Sequence, residues 1–195
     1  MELIRGISGI RGIVGKSLTE PVIIKHIQAF SEIQSLGDIL LARDSRTHGE
    51  SFIHTAAEAL SKCGRNVIVY DIIPTPTAQF LVEKNNMAGG IVITASHNPL
   101  EWNGLKFIDR DGCFLDGNKN IKLFEIADSD PTSNHNTGSI QSIENGYLPH
   151  ITHTRELSVI DIKAIEKRNF SIVVDAVNGA ASKALPTMVE ALGCT

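Results

Sequence analysis

The chain has 195 residues, enough for one well-buried domain and part of another. Hydrophobic residues are 42% of it and charged residues 21%, an ordinary balance for a soluble globular protein, and a formal net charge of −4 gives no general attraction to nucleic acid or anionic membranes. No apolar run approaches the ~20 residues of a membrane span, Glu2 and Arg5 interrupt any signal peptide, and Cys63, Cys113 and Cys194 lack metal-site spacing, which predicts reduced thiols in a cytoplasmic protein.

The first notable stretch is Gly6-Ile7-Ser8-Gly9-Ile10-Arg11-Gly12-Ile13-Val14-Gly15-Lys16-Ser17. Its Gly-Lys-Ser ending suggests a phosphate-binding P-loop, but that loop needs glycine where Ile10 stands. The residues leave two readings. Glycines in series let backbone amides and Arg11 approach an anion, or the stretch is a glycine-punctuated turn with a solvated arginine. Thr19-Glu20-Pro21 opens a helix, with Ile23, Ile24, Ile27, Phe30 and Ile33 at helical spacing and Gly37 as its stop. Ile39 to Ala42 is a short buried strand. It ends in a charged turn, Arg43-Asp44-Ser45-Arg46, which either lines a cleft or caps a helix and pairs its own charges. Helices are expected at about 48–62, with His54 on the surface, and from Pro74 to about Glu83, separated by a strand at 67–70.

The stretch that organises the rest is 89–107. Ile91 to Thr94 are β-branched and follow a Gly-Gly pair, as in a strand buried on both faces. Polarity then arrives at once in Ser96, His97 and Asn98, with Pro99 closing the turn. A polar loop at the carboxyl edge of a strand is where open α/β sheets place ligands. Ser96 is thereby exposed beside His97, although a Ser-His dipeptide is no triad, because neighbours along a strand point to opposite faces.

Beyond Lys106, residues 105–108 and 113–115 read as a hairpin turning at Asp111-Gly112, which forms an antiparallel edge strand. A helix over Ile121 to Ala127 follows, then a surface loop from Asp128 to Ser142 rich in Ser, Asn, Thr and Gly. Helices are expected at about 146–153 and 156–167. A strand at Ser171 to Asp175 then turns at Asn178-Gly179 into a helix ending near Gly193. Strands alternating with helices predict an α/β fold, a three-layer α/β/α sandwich around a mostly parallel mixed sheet. No Gly-x-Gly-x-x-Gly turn supports a dinucleotide site.

Thr94-Ala95-Ser96-His97-Asn98-Pro99, with Asn103-Gly104-Leu105-Lys106 after it, closely resembles the phosphoserine loop of the α-D-phosphohexomutases, the phosphoglucomutase/phosphomannomutase family. Ser8-Gly9-Ile10-Arg11-Gly12 resembles the family's amino-terminal signature, and a similar Asp-x-Arg turn recurs at Asp44 to Arg46, to which we assign a structural role. Ala42 and Ala181 stand where glycine is frequent. The resemblance implies that residues 1–140 form the family's first domain, 141–169 a linker with helices, and 170–195 a truncated start of the second. The acidic loop that holds magnesium in the family, and its sugar- and phosphate-binding domains, have no counterpart here, so the chain is expected to be an amino-terminal fragment without mutase turnover of its own.

The same resemblance implies a mechanism. Ser96 carries a phosphoryl group, passes it to a hexose phosphate and recovers it from the other position, with hexose 1,6-bisphosphate as intermediate and activator. Mg²⁺ would be bound through phosphorylated Ser96, with its remaining ligands outside this chain. Arg11 faces the phosphoserine and His97 supports the loop. Lys106 is the candidate general base, a role in which a lysine needs burial or a cationic neighbour to reach a useful pKa. Asn98 and Asn103 brace the loop. The implied partner is a glucose, mannose or glucosamine phosphate; the oligomeric state is open. A serine hydrolase would want a Gly-x-Ser-x-Gly elbow, which Thr-Ala-Ser-His-Asn does not supply. A non-catalytic sugar-phosphate-binding module is the alternative.

Overall fold

The computed structural model describes residues 2–131 and 137–195. Its framework is a seven-stranded mixed sheet in the order β1-β2-β6-β5-β3-β4-β7. The strands are β1 (Ile4–Gly6), β2 (Gly9–Ile13), β3 (Ile39–Arg43), β4 (Val67–Ile72), β5 (Gly89–Ile93), β6 (Trp102–Asp109) and β7 (Ile140–Ser142). The pairings from β5 through β3 and β4 to β7 are parallel, and those joining β1, β2, β6 and β5 are antiparallel. The first helices are α1 (Glu20–Ile33), α2 (Gly49–Lys62), α3 (Thr75–Lys84) and α4 (Gly117–Asp128). After β7 come α5 (Leu148–Arg155), α6 (Ile162–Arg168) and α7 (Ala184–Ala191). Among the described residues no helix is long and apolar enough to cross a membrane.

Period-two alternation along the central strands builds the three layers. Ile39, Leu41, Ile91, Ile93 and Phe107 face one way and pack with α1, α2 and α4. Leu40, Ala42, Val92 and Ile108 face the other way and pack with Ala78, Leu81 and Val82 of α3. The Gly-Gly pair that opens β5 is explained by this crowding. A Cβ on Gly89 would lie 2.9 Å from Phe30 on one side, and one on Gly90 would lie 2.8 Å from Val82 on the other.

Several expectations are revised. The glycine-rich start is a β-hairpin rather than a turn alone, and its Gly15-Lys16-Ser17 ending is a tight turn in which Ser17 Oγ accepts the Ile13 N–H at 3.0 Å. Helix α1 does start after Thr19, whose side chain makes no capping bond, but it ends before Gly37. Arg65 supplies the stop: its guanidinium donates to the carbonyls of Ser31, Gln34 (2.9 Å) and Ser35 (2.5 Å), carbonyls that a helix end leaves without intrahelical partners.

The hairpin after Lys106 is also revised. Its tight turn forms, with the Gly112 N–H donating to Asp109 O at 3.0 Å, and the returning arm pairs briefly with β6 at Ile108 and Phe114, the Asp109 N–H donating to Cys113 O at 2.7 Å and the Leu115 N–H to Phe107 O at 3.1 Å. Strand β6 is not at an edge, because β5 pairs with one side of it and β2 with the other. The loop expected over Asp128 to Ser142 lies partly outside the described residues; within them, Asp128 closes α4 and Ile140–Ser142 adds β7 in parallel to β4. Helix α4 begins at Gly117 because Asp116 caps it, accepting the Lys119 N–H at 2.8 Å.

Toward the carboxyl end, α6 starts at Ile162 because Asp161 accepts the Ala164 N–H at 3.0 Å. Residues 171–175 form no strand. They lie outside the sheet, Val173 is 97% exposed, and the Ile172 N–H donates to Thr195 O at 2.7 Å. β-branched residues specify a strand only where a neighbouring edge offers a hydrogen-bond ladder.

One buried ionisable group gives the fold a pH dependence. His26 on α1 is fully buried, its Nδ1 lies 2.7 Å from Val22 O, and its Nε2 has no hydrogen-bond partner. Burial, with smaller effects from Arg5 and Lys25, lowers its pKa to about 4; the Val22 carbonyl and Asp128 act in the opposite direction. The folded state therefore favours neutral imidazole, while the unfolded chain takes up a proton near the reference pKa of about 6.5. This contribution is complete above about pH 6.5 and is lost as pH falls towards 4, by an amount on the order of 3 kcal/mol. Urea denaturation at several pH values in that window should show a shallower loss for His26→Leu than for the parent chain; parallel curves would refute the assignment.

Candidate functional site

The register of β6 places two cations together. Arg11 on β2 lies opposite Gly104, and Lys106, two residues on, emerges on the same face as Gly104. The strands approach so closely here that a Cβ on Gly104 would sit 2.3 Å from Ile10 O and 3.0 Å from the Arg11 Cβ. Only glycine allows this approach. Lys106 is half-buried, with its Nζ 5.2 Å from the centre of the Phe114 ring.

Strand β5 delivers the loop. It ends at Ile93, and Ser96 adopts a left-handed backbone with φ of 56°, a conformation uncommon for a residue with a Cβ. This overturns the expectation that Ser96 and His97 point apart. Strand alternation no longer applies, and Ser96 Oγ lies 3.3 Å from His97 Nδ1. Both side chains are exposed. Asn98 braces the loop as expected, its Nδ2 donating to Ala95 O at 2.7 Å, and Asn103 Oδ1 accepts the Gly104 N–H at 2.9 Å.

The Asp44-Ser45-Arg46 turn does more than pair its own charges, which it does at 3.2 Å. Arg46 donates to four loop carbonyls: Pro99 O (2.7 Å), Trp102 O (3.2 Å), Ser96 O (3.0 Å) and Asn98 O (2.7 Å). Asp44 accepts the Thr94 hydroxyl at 2.6 Å, and Thr94 Oγ1 accepts the Ser96 N–H at 2.9 Å. The sequence assigned this turn a structural role but had no means of linking it to a loop fifty residues away. Neither Asp44 nor Arg46 lines the cleft; they stand behind the loop.

Arg11, Ser96, His97 and Lys106 line one cleft of about 160 Å³, together with Gly9 and Thr94. The lining holds two cations and no carboxylate, so it suits an anion. Among the described residues no group of three or more His, Cys, Asp or Glu could hold a metal ion, and Ser96 as a metal ligand would stand alone.

A phosphoglucosamine/phosphogalactosamine mutase of Sulfurisphaera tokodaii is 32% identical, the match covering 97% of this chain and 42% of that protein. A phosphoglucomutase/phosphomannomutase of Thermococcus kodakarensis is also 32% identical, again over 97% of this chain and 42% of the relative. The chain thus spans less than half the length of these relatives. A solved phosphoglucomutase/phosphomannomutase family protein from Burkholderia thailandensis superposes with a TM-score of 0.76 at 27% identity, over 96% of this chain and 41% of that one. The family model described as phosphoglucomutase/phosphomannomutase, alpha/beta/alpha domain I, matches residues 2–133, most of the chain, and this chain therefore belongs to that family.

Proposed function

We propose that this chain carries the phosphoryl-accepting serine of a cytoplasmic phosphohexomutase, which interconverts hexose 1-phosphates and 6-phosphates through a phosphoserine and a hexose 1,6-bisphosphate. The observation that supports this reading most directly is the convergence of Arg11, Ser96, His97 and Lys106 on one carboxylate-free cleft. Relatives named for glucose, mannose, glucosamine and galactosamine phosphates make a phosphosugar the substrate class.

Phosphoryl transfer demands alignment and neutralisation of charge more than covalent work from the protein. In the forward step a sugar hydroxyl oxygen attacks the phosphorus on Ser96. The new sugar O–P bond forms as the Ser96 Oγ–P bond breaks, the hydroxyl proton passes to Lys106 Nζ, and His97 protonates the departing Oγ across the 3.3 Å separation. In the return step, after the bisphosphate reorients, Ser96 Oγ gives its proton to His97 and attacks the other phosphorus, and the released sugar oxygen recovers a proton from Lys106. Arg11 pairs with the transferring group. Mg²⁺ held through the phosphoserine oxygens, with its remaining ligands outside this chain, would help neutralise charge on the transferring group.

Intact mass of the purified chain, taken before and after incubation with glucose 1,6-bisphosphate and Mg²⁺, tests the proposal. One phosphoryl group should appear on the parent chain and none on Ser96→Ala. Phosphate that persists in Ser96→Ala would overturn Ser96 as carrier. If neither chain gains a group, the proposal that this chain can accept one by itself fails.

A further inference from the structure

A left-handed backbone at a serine persists only where its surroundings over-determine it. At Ser96 (φ 56°) the local bonds are its N–H to Thr94 Oγ1, and the Asn98 N–H and Nδ2 to Ala95 O. The contacts that reach the loop from a distant part of the chain come from Arg46 and Asp44. Four carbonyl oxygens spread over seven residues, those of Ser96, Asn98, Pro99 and Trp102, converge on the two terminal nitrogens of Arg46. Carbonyl dipoles gathered this closely repel one another unless a cation stands among them. A guanidinium has five N–H donors in a planar fork and can hold several at fixed angles, whereas an ammonium is a compact charge on a flexible stem. Arg46 is itself seated, its side chain only 10% exposed, with Asp44 accepting its Nε–H at 3.2 Å and its backbone N–H at 3.0 Å. Asp44 also accepts the Thr94 hydroxyl that receives the Ser96 N–H. Both ends of the Ser96 peptide environment, its N–H and its carbonyl, thus trace back to one two-residue device.

We propose that Arg46, seated by Asp44, is a positioning residue that locks Ser96 in its left-handed conformation and so brings its hydroxyl and His97 to the same side of the loop. The device also turns four partial negative charges toward a cation that is not part of the cleft, and away from the place where a phosphate would sit. Its value for phosphoryl transfer rests on the reading of Ser96 as carrier; the lock itself does not.

Arg46→Lys keeps the positive charge and loses the fork. In isotope-labelled chain, the parent should give Ser96 Cα and Cβ shifts and a backbone coupling characteristic of positive φ, with a slowly exchanging Ser96 amide. Arg46→Lys should lose both signatures while the amides of β3 and β5 keep their protection, and its rate of labelling by glucose 1,6-bisphosphate should fall roughly 100-fold, as expected for an ångström-scale misplacement. Should Arg46→Lys fail to fold, Asp44→Asn, which unseats the guanidinium at constant shape, gives the same readout. A variant that keeps the Ser96 signature overturns the inference, whatever its labelling. Loss of the signature in a chain that is never labelled, even as the parent, supports the lock and defeats only the carrier reading.

Discussion

Replacing Phe107 by alanine should cost about 3–5 kcal/mol of stability, read as a drop in the urea midpoint at unchanged slope. Phe107 is 1% exposed and stacks on Phe30 of α1, with ring centres 5.3 Å apart and planes 22° from parallel. Strand β6 is held on both sides, and Gly89, which gives Phe30 its space, lies directly across the sheet from Asp109 at the end of β6. Against a typical net stability of 5–15 kcal/mol, one such substitution brings a domain close to its unfolding threshold. A cost below about 1 kcal/mol would mean that the layer between α1 and the sheet is loosely packed.

Lys106, the neighbouring residue in sequence, should behave in the opposite way. Lys106→Ala gives up the approach of its Nζ to the Phe114 ring at 5.2 Å, a contact worth roughly 0.5–1 kcal/mol, so the urea midpoint should scarcely move. If Lys106 is the proton acceptor we propose, transfer from phosphorylated chain to a hexose phosphate should fall about 10²–10⁴-fold, the usual span for a lost general base. Lys106→Arg separates the two roles of a cation in this cleft. Arginine keeps the charge and cannot deprotonate at working pH. If the arginine variant is as slow as the alanine variant, Lys106 acts as a base. If it transfers at the parental rate, Lys106 contributes only charge. If Lys106 is that base, two adjacent side chains on one strand, pointing to opposite faces, divide stability from chemistry.

Much of this was legible in the order of residues, for local reasons. The apolar runs at 39–42 and 91–94, the helical spacing of Ile23, Ile27 and Phe30, and the Asp111-Gly112 turn each express a short-range rule, and each occurs where that rule puts it. The abrupt change from β-branched to polar residues after Ile93 marked the site loop. Features that depend on partners distant in sequence were not legible. Residues 171–175 have the composition of a strand and lie outside the sheet, and β2 pairs with Trp102 to Leu105 of β6 on the side that Cys113 to Leu115 also approach.

The sequence by itself determined the layered α/β class, the loop that bears Ser96 and the identity of its polar residues, because alternation and composition are properties of neighbours. Tertiary structure alone decided three further points: Arg11 and Lys106 share a face across Gly104, Ser96 and His97 turn to the same side, and Arg46 holds the loop from behind. Each of these depends on strand register or on a backbone angle sustained by hydrogen bonds between residues fifty or more positions apart, and no local pattern encodes a partner at that distance.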